Sequence, residues 1–517
     1  MRDMDRTRSD LPARAGPNQD RLPVTSPIAR AKHRSFIDLR PVGYVIGLLV
    51  ACLGVTMLIP LAVDIAEGRG HWPVFLESAV LTFAIGGLTA LACQNGTEEA
   101  LSLQQTFLLT TGVWAMLPVF GALPFMLGET QSSFTDAFFE AMSGMTTTGS
   151  TVLSGLDTLP RGLLLWRGML QWLGGVGIIV VAMVFLPELR VGGMQIFRSE
   201  AFDTMGKILP RAASIASQIS VVYVALTVAC ALTYLFLGMD AFDATVHALT
   251  TISTGGFSTR DASFGAFSGP MEYAATVFMV LAALPFVRYV QLLNGNRIAL
   301  FQDSQVRVFM LTVLAFVGVS FVALLHIFPH HWETSLREAL FNITSIMSGT
   351  GYASADYMGW GPFLITIFFF VGLIGGCAGS TACSIKIFRY QILFAAIRSQ
   401  IKRIHHPHGR FSPKFDGRPI SQDVMGSVMS FFVFFTVSIG VLAVALALTG
   451  LDFVTSLSGA ATAIANIGPG LGEIIGPSGN FEPLNTTAKW MLSFGMLCGR
   501  LELMAVYAIL TVQFWRA

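Results

Sequence analysis

The sequence contains eight long runs of apolar residues without charged side chains. They cover residues 41–63, 78–97, 100–128, 168–187, 212–239, 308–332, 357–385 and 424–451. Each run is long enough to cross about 30 Å of hydrocarbon as a helix. Two further apolar segments, 273–294 and 490–513, contain Arg288 and, in the second, Arg500 with Glu502. We therefore predict ten membrane-spanning segments.

Composition excludes other classes of protein. Of the 517 residues only 12% are charged, whereas a soluble protein carries roughly 25%. The net charge of +1 lacks the basic excess of a nucleic-acid-binding protein. The sequence has neither a Walker A nor a dinucleotide-binding fingerprint, and it has no acid–base or nucleophile constellation in a plausible pocket. We expect a membrane protein that is not an enzyme, carries no cofactor and binds no nucleic acid.

Four gaps between the runs contain short, half-apolar segments that end in glycine-containing turns. They read DAFFEAMSGMTTTGST (136–151), DAFDATVHALTTISTGGFS (240–258), REALFNITSIMSGTGYAS (337–354) and LDFVTSLSGAATAIANIGPG (451–470). About 11 helical residues reach only about 16 Å, so such helices enter a membrane without crossing it. Every turn lies between two long apolar runs, and this order indicates a fourfold internal repeat.

The repeat predicts an all-α polytopic membrane protein with four units of span, half-helix, turn and span around a pseudo-fourfold pore. Two additional spans precede the first unit. The predicted organisation is a disordered cytoplasmic tail (1–40), the two additional spans (41–99), and four units at 100–211, 212–304, 305–420 and 421–517.

Charge predicts the orientation. The four segments that hold the half-helices contain four Lys or Arg and 14 Asp or Glu, and the segments 1–41, 187–212, 288–307 and 386–423 contain 24 and 11. Basic loops remain on the cytoplasmic side. We therefore expect both termini in the cytoplasm and the half-helices on the outer side.

The turns have the chemistry of a cation site. Irregular backbone at membrane depth persists only where protein buries it or where it lines a water-filled cavity. Four turns at equal depth would form a ring of carbonyl oxygens, and such rings replace the hydration shell of a monovalent cation. The C-terminal ends of the half-helices add partial negative charge.

The turns TTTGST, STGGFSTRD, SGTGYASADY and NIGPGLG, together with the fourfold repeat, resemble the Trk/Ktr/HKT superfamily of potassium transporters. The resemblance covers roughly residues 40–517, is closest to the Trk membrane subunit, and implies a K⁺ selectivity filter at each turn. The K⁺-binding residues that it implies are Thr147, Thr148, Gly149, Ser253, Thr254, Gly255, Gly349, Thr350, Gly351, Asn466, Ile467 and Gly468. Relatives with Ser at the first filter glycine tend toward sodium, so Gly149 favours potassium.

The segment GLIGGCAGSTACS (372–384) is dense in small residues. We expect it to break its helix, although close helix packing is the alternative. The resemblance implies an intramembrane gating loop here, with gate residues Gly375, Gly376, Gly379 and Ser380, a nearby Lys386, and a pore-facing Arg500. We expect Arg500 to donate to carbonyls of residues 375–381. The family has more glycine where this chain has Ala382, Cys383 and Ser384.

The resemblance also implies a homodimer in the bacterial inner membrane and a cytosolic nucleotide-binding regulatory subunit of the TrkA type, which binds ATP/ADP or NAD(H). Channel-like passage and H⁺-coupled symport both remain open. A sodium-permeable relative and a secondary transporter of an organic solute are the alternative functions, and a receptor or scaffold without transport is a third possibility.

Overall fold

The computed structural model describes residues 37–96, 101–184 and 208–516. The predicted tail 1–40 and cytoplasmic loop 187–212 therefore lie largely outside the described residues. The described chain is predominantly helical, and its one two-stranded sheet pairs β1 (Lys414–Phe415) with β2 (Arg418–Pro419) in antiparallel orientation.

The first three helices form a hairpin that precedes the rest of the fold. They are α1 (Arg40–Thr56), α2 (Leu58–Ala66) and α3 (Trp72–Cys93). Glycines allow the backbones of α1 and α3 to touch, because a Cβ built on Gly47 would lie 2.6 Å from Ala90 N. A Cβ on Gly86 would likewise lie 3.0 Å from Ala51 Cα. Small residues of this kind are how helices pack closely in a membrane.

The remaining helices follow in chain order. They are α4 (Leu103–Gly121), α5 (Leu123–Leu127), α6 (Phe134–Met145), α7 (Arg161–Val184), α8 (Ile208–Phe236), α9 (Ala241–Ile252), α10 (Pro270–Ala282), α11 (Phe286–Leu293), α12 (Ala299–Gln302), α13 (Ser304–Ile327), α14 (Trp332–Ser348), α15 (Pro362–Gly372), α16 (Ile387–His405), α17 (Gln422–Leu448), α18 (Phe453–Ala465), α19 (Thr486–Arg500), α20 (Met504–Leu510) and α21 (Val512–Arg516).

Seven stretches of the described helices are long and apolar enough to cross a membrane. They are α1 with α2, α3, α4 with α5, and parts or all of α7, α8, α13 and α17. Two further pairs are bent, α10 with α11 by 88° and α19 with α20 by 113°. These pairs are the two segments that contain Arg288 and Arg500. The predicted class of helical, polytopic membrane protein is confirmed.

The apolar run 357–385 does not form one continuous helix. Helix α15 has 11 residues and ends at Gly372, and no helix resumes in the described chain until α16 begins at Ile387. The expected break within 372–384 is therefore present. Its cause is composition, because Gly and Ser are poor helix formers and the segment lacks the side chains that support a continuous helix.

Four short helices occupy the gaps where half-helices were predicted. Helices α6, α9, α14 and α18 contain 12, 12, 17 and 13 residues. Ser133, Asp240 and Asp452 cap the N-termini of α6, α9 and α18 with side-chain oxygens that accept backbone N–H groups. The C-terminal halves of all four helices are buried, and each helix leads directly into one of the glycine-containing turns.

The contact between α1 and α3 predicts a difference between two adjacent glycines. A side chain at Gly86 would overlap the backbone of α1, whereas a Cβ on Gly87 has no atom within 4 Å. Overpacking of a tight contact costs about 1–3 kcal/mol. We expect Gly86→Val to lower the melting temperature of the purified protein and Gly87→Val, the control, to leave it near the wild-type value. Equal melting temperatures would contradict the contact.

Candidate functional site

The four turns share a backbone conformation. The first residue that leaves each helix in left-handed geometry is Thr147 (φ 51°), Thr254 (51°), Gly349 (80°) or Asn466 (52°). Two residues later the first three turns again have positive φ, at Gly149 (89°), Gly256 (77°) and Gly351 (79°). The fourth turn also has a glycine at this position, Gly468, but its φ is not positive. Positive φ is strained for residues other than glycine, so the surroundings hold these turns in place.

This conformation corrects the predicted register of the second turn by one residue. The first turn donates Thr148 N to Ser143 O at 2.9 Å, and the second donates Gly255 N to Thr250 O at 2.8 Å. Gly255 is therefore the equivalent of Thr148, and Gly256, not Gly255, is the equivalent of Gly149. By this backbone equivalence, the residues of the second turn that correspond to Thr147, Thr148 and Gly149 are Thr254, Gly255 and Gly256, one residue later than the predicted Ser253, Thr254 and Gly255. Sequence could not fix this register because either of two adjacent glycines can take positive φ.

The turns touch one another in a closed order. A Cβ on Gly351 of the third turn would lie 2.7 Å from Gly468 N of the fourth, and one on Gly468 would lie 3.1 Å from Gly149 O of the first. The complete set of contacts joins Gly149 to Gly255, Gly256 to Thr350, Gly351 to Gly468, and Gly468 back to Gly149. All four turns thus meet at one place, and each contacts two neighbours.

Polar side chains join the turns as well. Ser150 of the first turn donates Oγ to Gly468 O at 2.7 Å. Asn466 of the fourth turn donates Nδ2 to Thr148 Oγ1 at 3.0 Å and to Met496 O at 2.9 Å. The hydroxyl of Tyr352, which follows the third turn, contacts Thr250 of α9. These hydrogen bonds satisfy polar groups that are buried away from solvent.

A cavity of about 570 Å³ opens on one side of the turns. Gly149, Gly256, Gly351 and Gly468 line it together with loop residues that include the acidic Asp261 and Glu473. Arg167 and Arg260 line it as well, so its charged lining residues are two acidic and two basic. The cavity therefore connects the glycine turns to a polar surface of mixed charge.

The irregular segment 373–386 lies against the opposite side of the turns. Thr147 Oγ1 is 3.7 Å from Cys383 Sγ, and a Cβ on Gly349 would lie 3.1 Å from Cys383 N. The backbone of the segment bonds to other broken helices: Cys377 N donates to Ala283 O at 3.0 Å and Ser384 N to Ala465 O at 2.9 Å. Segment 373–386 thus contacts the first and third turns through Cys383, and the predicted gate residues Gly375, Gly376, Gly379 and Ser380 lie in the same segment.

Arg500 is buried next to this segment, but its partners differ from those predicted. Its Nη1 donates to Cys383 Sγ at 3.2 Å and its Nη2 to Gly174 O at 3.3 Å, while Nε has no partner among the described residues. The expectation that it donates to carbonyls of residues 375–381 is wrong. Glu502 pairs with Arg389 rather than with Arg500, in keeping with the different helix faces of residues i and i+2.

The carbonyls of the segment are engaged elsewhere, which explains this difference. Gly376 O accepts from Ile387 N at 3.1 Å, Gly379 O accepts from Phe286 N at 2.9 Å, and Cys377 O accepts from the Ser380 hydroxyl at 2.7 Å. Lys386 Nζ donates to Ala382 O. Arg500 therefore meets the side chain of Cys383.

The sequence analysis missed a group of buried polar residues behind the first two turns. Gln171 and Arg167 on α7 and Glu140 on α6 are each at most 1% exposed. They hydrogen-bond to one another or to the backbone that follows the turns. Arg167 and Gln171 belong to the motif WRGMLQWLGG at the start of an apolar run, and Glu140 lies in the segment DAFFEAMSGMTTTGST; these charged and amide side chains were the available signal.

The buried short helices and their touching turns define a polytopic α-helical membrane protein whose partly inserted helices meet at their C-terminal ends. Residues 71–514 match the TrkH family of cation transport proteins. The chain belongs to this family, and the resemblance to the Trk superfamily is confirmed.

Named relatives cover nearly the whole chain. It is 42% identical over 479 residues to the Trk system potassium uptake protein TrkI of Halomonas elongata, which covers 92% of this chain and 97% of that protein. It is 36% identical over 487 residues to the Trk system potassium uptake protein TrkH of Salmonella typhimurium, covering 93% and 100%. The crystal structure of the potassium transporter TrkH from Vibrio parahaemolyticus has a TM-score of 0.85 at 33% identity, covering 93% and 100%.

The closed order of turn contacts predicts a cost for a side chain at Gly256. A Cβ there would overlap Thr350 O, whereas Gly269, which has a similar positive φ of 94°, has no atom within 4 Å. A side chain at positive φ costs about 1–3 kcal/mol at either site, and only Gly256→Ala adds the overlap. We expect Gly256→Ala to lower the melting temperature more than Gly269→Ala does. The reverse order would contradict the contact between the second and third turns.

Proposed function

We propose that the protein carries K⁺ across a membrane and that the ion passes between the four turns. The closed order of contacts among Gly149, Gly256, Gly351 and Gly468 is the observation that carries the proposal. The relatives named potassium uptake proteins support K⁺ as the ion. Transport is then a change of compartment rather than a covalent reaction, and K⁺ is the cargo of a chain that needs no cofactor.

The architecture in this proposal has four units of span, half-helix, filter and span around a pseudo-fourfold axis. The filter residues are Thr147, Thr148 and Gly149; Thr254, Gly255 and Gly256 with the preceding Ser253; Gly349, Thr350 and Gly351; and Asn466, Ile467 and Gly468. Carbonyl and hydroxyl oxygens of these residues replace the hydration shell of the ion. Each of α6, α9, α14 and α18 directs its C-terminal dipole end toward its turn and favours a cation there.

Segment 373–386 and Arg500 form the gate in this proposal. The segment lies directly against two of the turns, and the buried guanidinium of Arg500 places positive charge beside it. A fixed positive charge in low dielectric repels a desolvated cation strongly. Movement of Arg500 away from Cys383 would therefore lower the barrier for the ion.

The protein in this proposal lies in a bacterial inner membrane with both termini in the cytoplasm. The relatives are named as parts of a Trk system, which supports a membrane subunit of a multicomponent assembly. We propose a homodimer that is regulated by a cytosolic TrkA-type subunit binding ATP/ADP or NAD(H). Basic residues of α16 and of the β1–β2 hairpin provide a surface for that contact.

Flux through purified protein in liposomes tests the proposal. Vesicles should take up K⁺ and Rb⁺ down an electrical gradient, which supplies about 2.3 kcal/mol per charge per 100 mV, and should exclude most Na⁺. Preferential Na⁺ flux would favour the sodium-permeable alternative. Absence of cation flux with and without the cytosolic subunit and nucleotide would overturn the proposal.

Gly149 should determine the preference for potassium. A Cβ on Gly149 would overlap Gly255 O, so Gly149→Ser must displace an oxygen of the neighbouring turn. We expect this variant to lower the K⁺ to Na⁺ flux ratio in liposomes. Gly155→Ser is the matched control, because Gly155 also has positive φ but its nearest atom would be 3.8 Å away. Unchanged selectivity in Gly149→Ser would contradict the role of the first turn.

Removal of the Arg500 charge should let K⁺ pass even when the cytosolic subunit is absent. We expect Arg500→Ala to raise K⁺ flux in the absence of the cytosolic subunit, because the electrostatic barrier disappears. Arg500→Lys retains the charge and should remain close to the wild type. If the flux of the Arg500→Ala protein equals that of the wild type, Arg500 does not act in the gate.

A further inference from the structure

The second turn differs from the other three at the position that follows its left-handed residue. This position is Gly255 in the second turn and Thr148, Thr350 and Ile467 in the others. Since Gly256 follows, the peptide between the two residues has a glycine on each side. Glycine lacks the steric restraint that limits rotation of a peptide plane. The direction of the Gly255 carbonyl must therefore be set by a neighbouring group.

Gln171 of α7 supplies such a group. Its Nε2 donates to Gly255 O at 2.6 Å, and its Oε1 accepts from Phe257 N at 3.0 Å. The amide thus holds the glycine pair from both sides, with one hydrogen bond before Gly256 and one after it. Gln171 is fully buried, so loss of these bonds would not be replaced by water from bulk solvent.

Arg167 extends the same support by one helical turn of α7. Its Nη1 donates to Ser258 O at 2.8 Å, and its guanidinium carbon lies 4.2 Å from the centre of the Phe257 ring. Arg167 Nε donates to Glu140 Oε1 at 2.7 Å. Residues i and i+4 share one face of a helix, so Arg167 and Gln171 together hold the extended segment 255–258.

Glu140 joins this support to the first turn. Its Oε2 accepts from Val152 N at 3.0 Å, and the Thr151 hydroxyl lies 3.0 Å from both carboxylate oxygens. The buried ion pair of Arg167 and Glu140 therefore holds the backbone that follows the first and second turns. Buried ion pairs contribute little net stability compared with apolar packing, so orientation of the backbone is the effect that distinguishes this pair.

The side chain of Gln171 also occupies the space where a side chain at position 255 would lie. A Cβ on Gly255 would be 2.8 Å from Gln171 Nε2 and closer still to other atoms of the amide. The second turn thus has an external amide in place of the side chain that the other turns carry themselves. Positions 255 and 171 are therefore coupled in two ways: a side chain at 255 would overlap Gln171, and Gln171 hydrogen-bonds to Gly255 O.

We propose that Gln171 is a positioning residue that sets the direction of the Gly255 carbonyl and thereby the ion selectivity of the protein. The inference rests on the proposed K⁺ transport. Arg167 and Glu140 hold the extended segment on which Gln171 acts. The Gly255 oxygen also lies against Gly149, so its direction determines the geometry of the first turn as well as the second.

A double-mutant cycle tests the proposal by the K⁺ to Na⁺ flux ratio in liposomes. Gln171→Ala should lower the ratio about tenfold, since a buried hydrogen-bond partner is lost. Gly255→Thr alone should also lower it, because the new side chain overlaps Gln171. The double variant Gln171→Ala with Gly255→Thr should recover most of the ratio, because the second turn then carries its own side chain as Thr148 and Thr350 do.

Glu272→Gln is the matched control. Glu272 is a buried carboxylate that pairs with Arg337 and contacts Gly269 N, with no contact to the four turns. It should change stability without changing the flux ratio. If Gln171→Ala does not yield a folded protein, Gln171→Met replaces it, because its side chain has a similar length but cannot donate to Gly255 O, and it should show the same loss.

The outcomes separate this inference from the proposed function. A wild-type protein without K⁺ flux refutes the proposed function itself. A selective wild type whose Gln171→Ala or Gln171→Met variant has an unchanged ratio overturns the positioning role alone. A double variant no more selective than Gln171→Ala would overturn the coupling between positions 171 and 255.

Discussion

Backbone amides and carbonyls that leave a helix inside hydrocarbon have no water to bond with, and each unsatisfied group costs several kcal/mol. In this protein, backbone groups released at the bend or end of one helix form hydrogen bonds with backbone groups released by another. The bend between α10 and α11 releases Ala283 O, which accepts from Cys377 N in the irregular segment after α15. The same segment donates Ser384 N to Ala465 O at the end of α18. The irregular parts are therefore stable only as a set.

The four turns obey the same constraint. Their positive-φ residues and glycines bring main chains within contact of each other, and the side chains of Ser150 and Asn466 bond across the turns. Such packing leaves little freedom for a single turn to move alone. Arg500, beside segment 373–386, donates Nη1 to Cys383 Sγ and Nη2 to Gly174 O, and its Nε lacks a partner in the described part of the chain. In the proposed function, the packed turns supply the selectivity and the buried charge of Arg500 supplies the gate.

Local sequence was sufficient for the helical class and for the four short helices. Apolar run length fixes which helices can span, and an acidic start followed by a glycine-containing end marks the half-helices. The sequence did not predict which of Gly255 and Gly256 corresponds to Gly149, because two adjacent glycines have equal conformational freedom. The hydrogen-bond partners predicted for Arg500 were wrong because the observed partners lie 117 and 326 positions away in the sequence, and local sequence does not show how such distant residues pack. The support from Gln171 and Arg167 was missed for the same reason, since an amide and a cation at the start of an apolar run do not reveal which backbone groups they contact.

The central claim is that a monovalent cation binds between the four turns, and anomalous diffraction from crystals of the purified protein grown in Rb⁺ tests it most directly. The account predicts an anomalous peak surrounded by the turns that contain Gly149, Gly256, Gly351 and Gly468. A protein that passes Rb⁺ in liposomes but whose anomalous peaks all lie away from these four turns would contradict it.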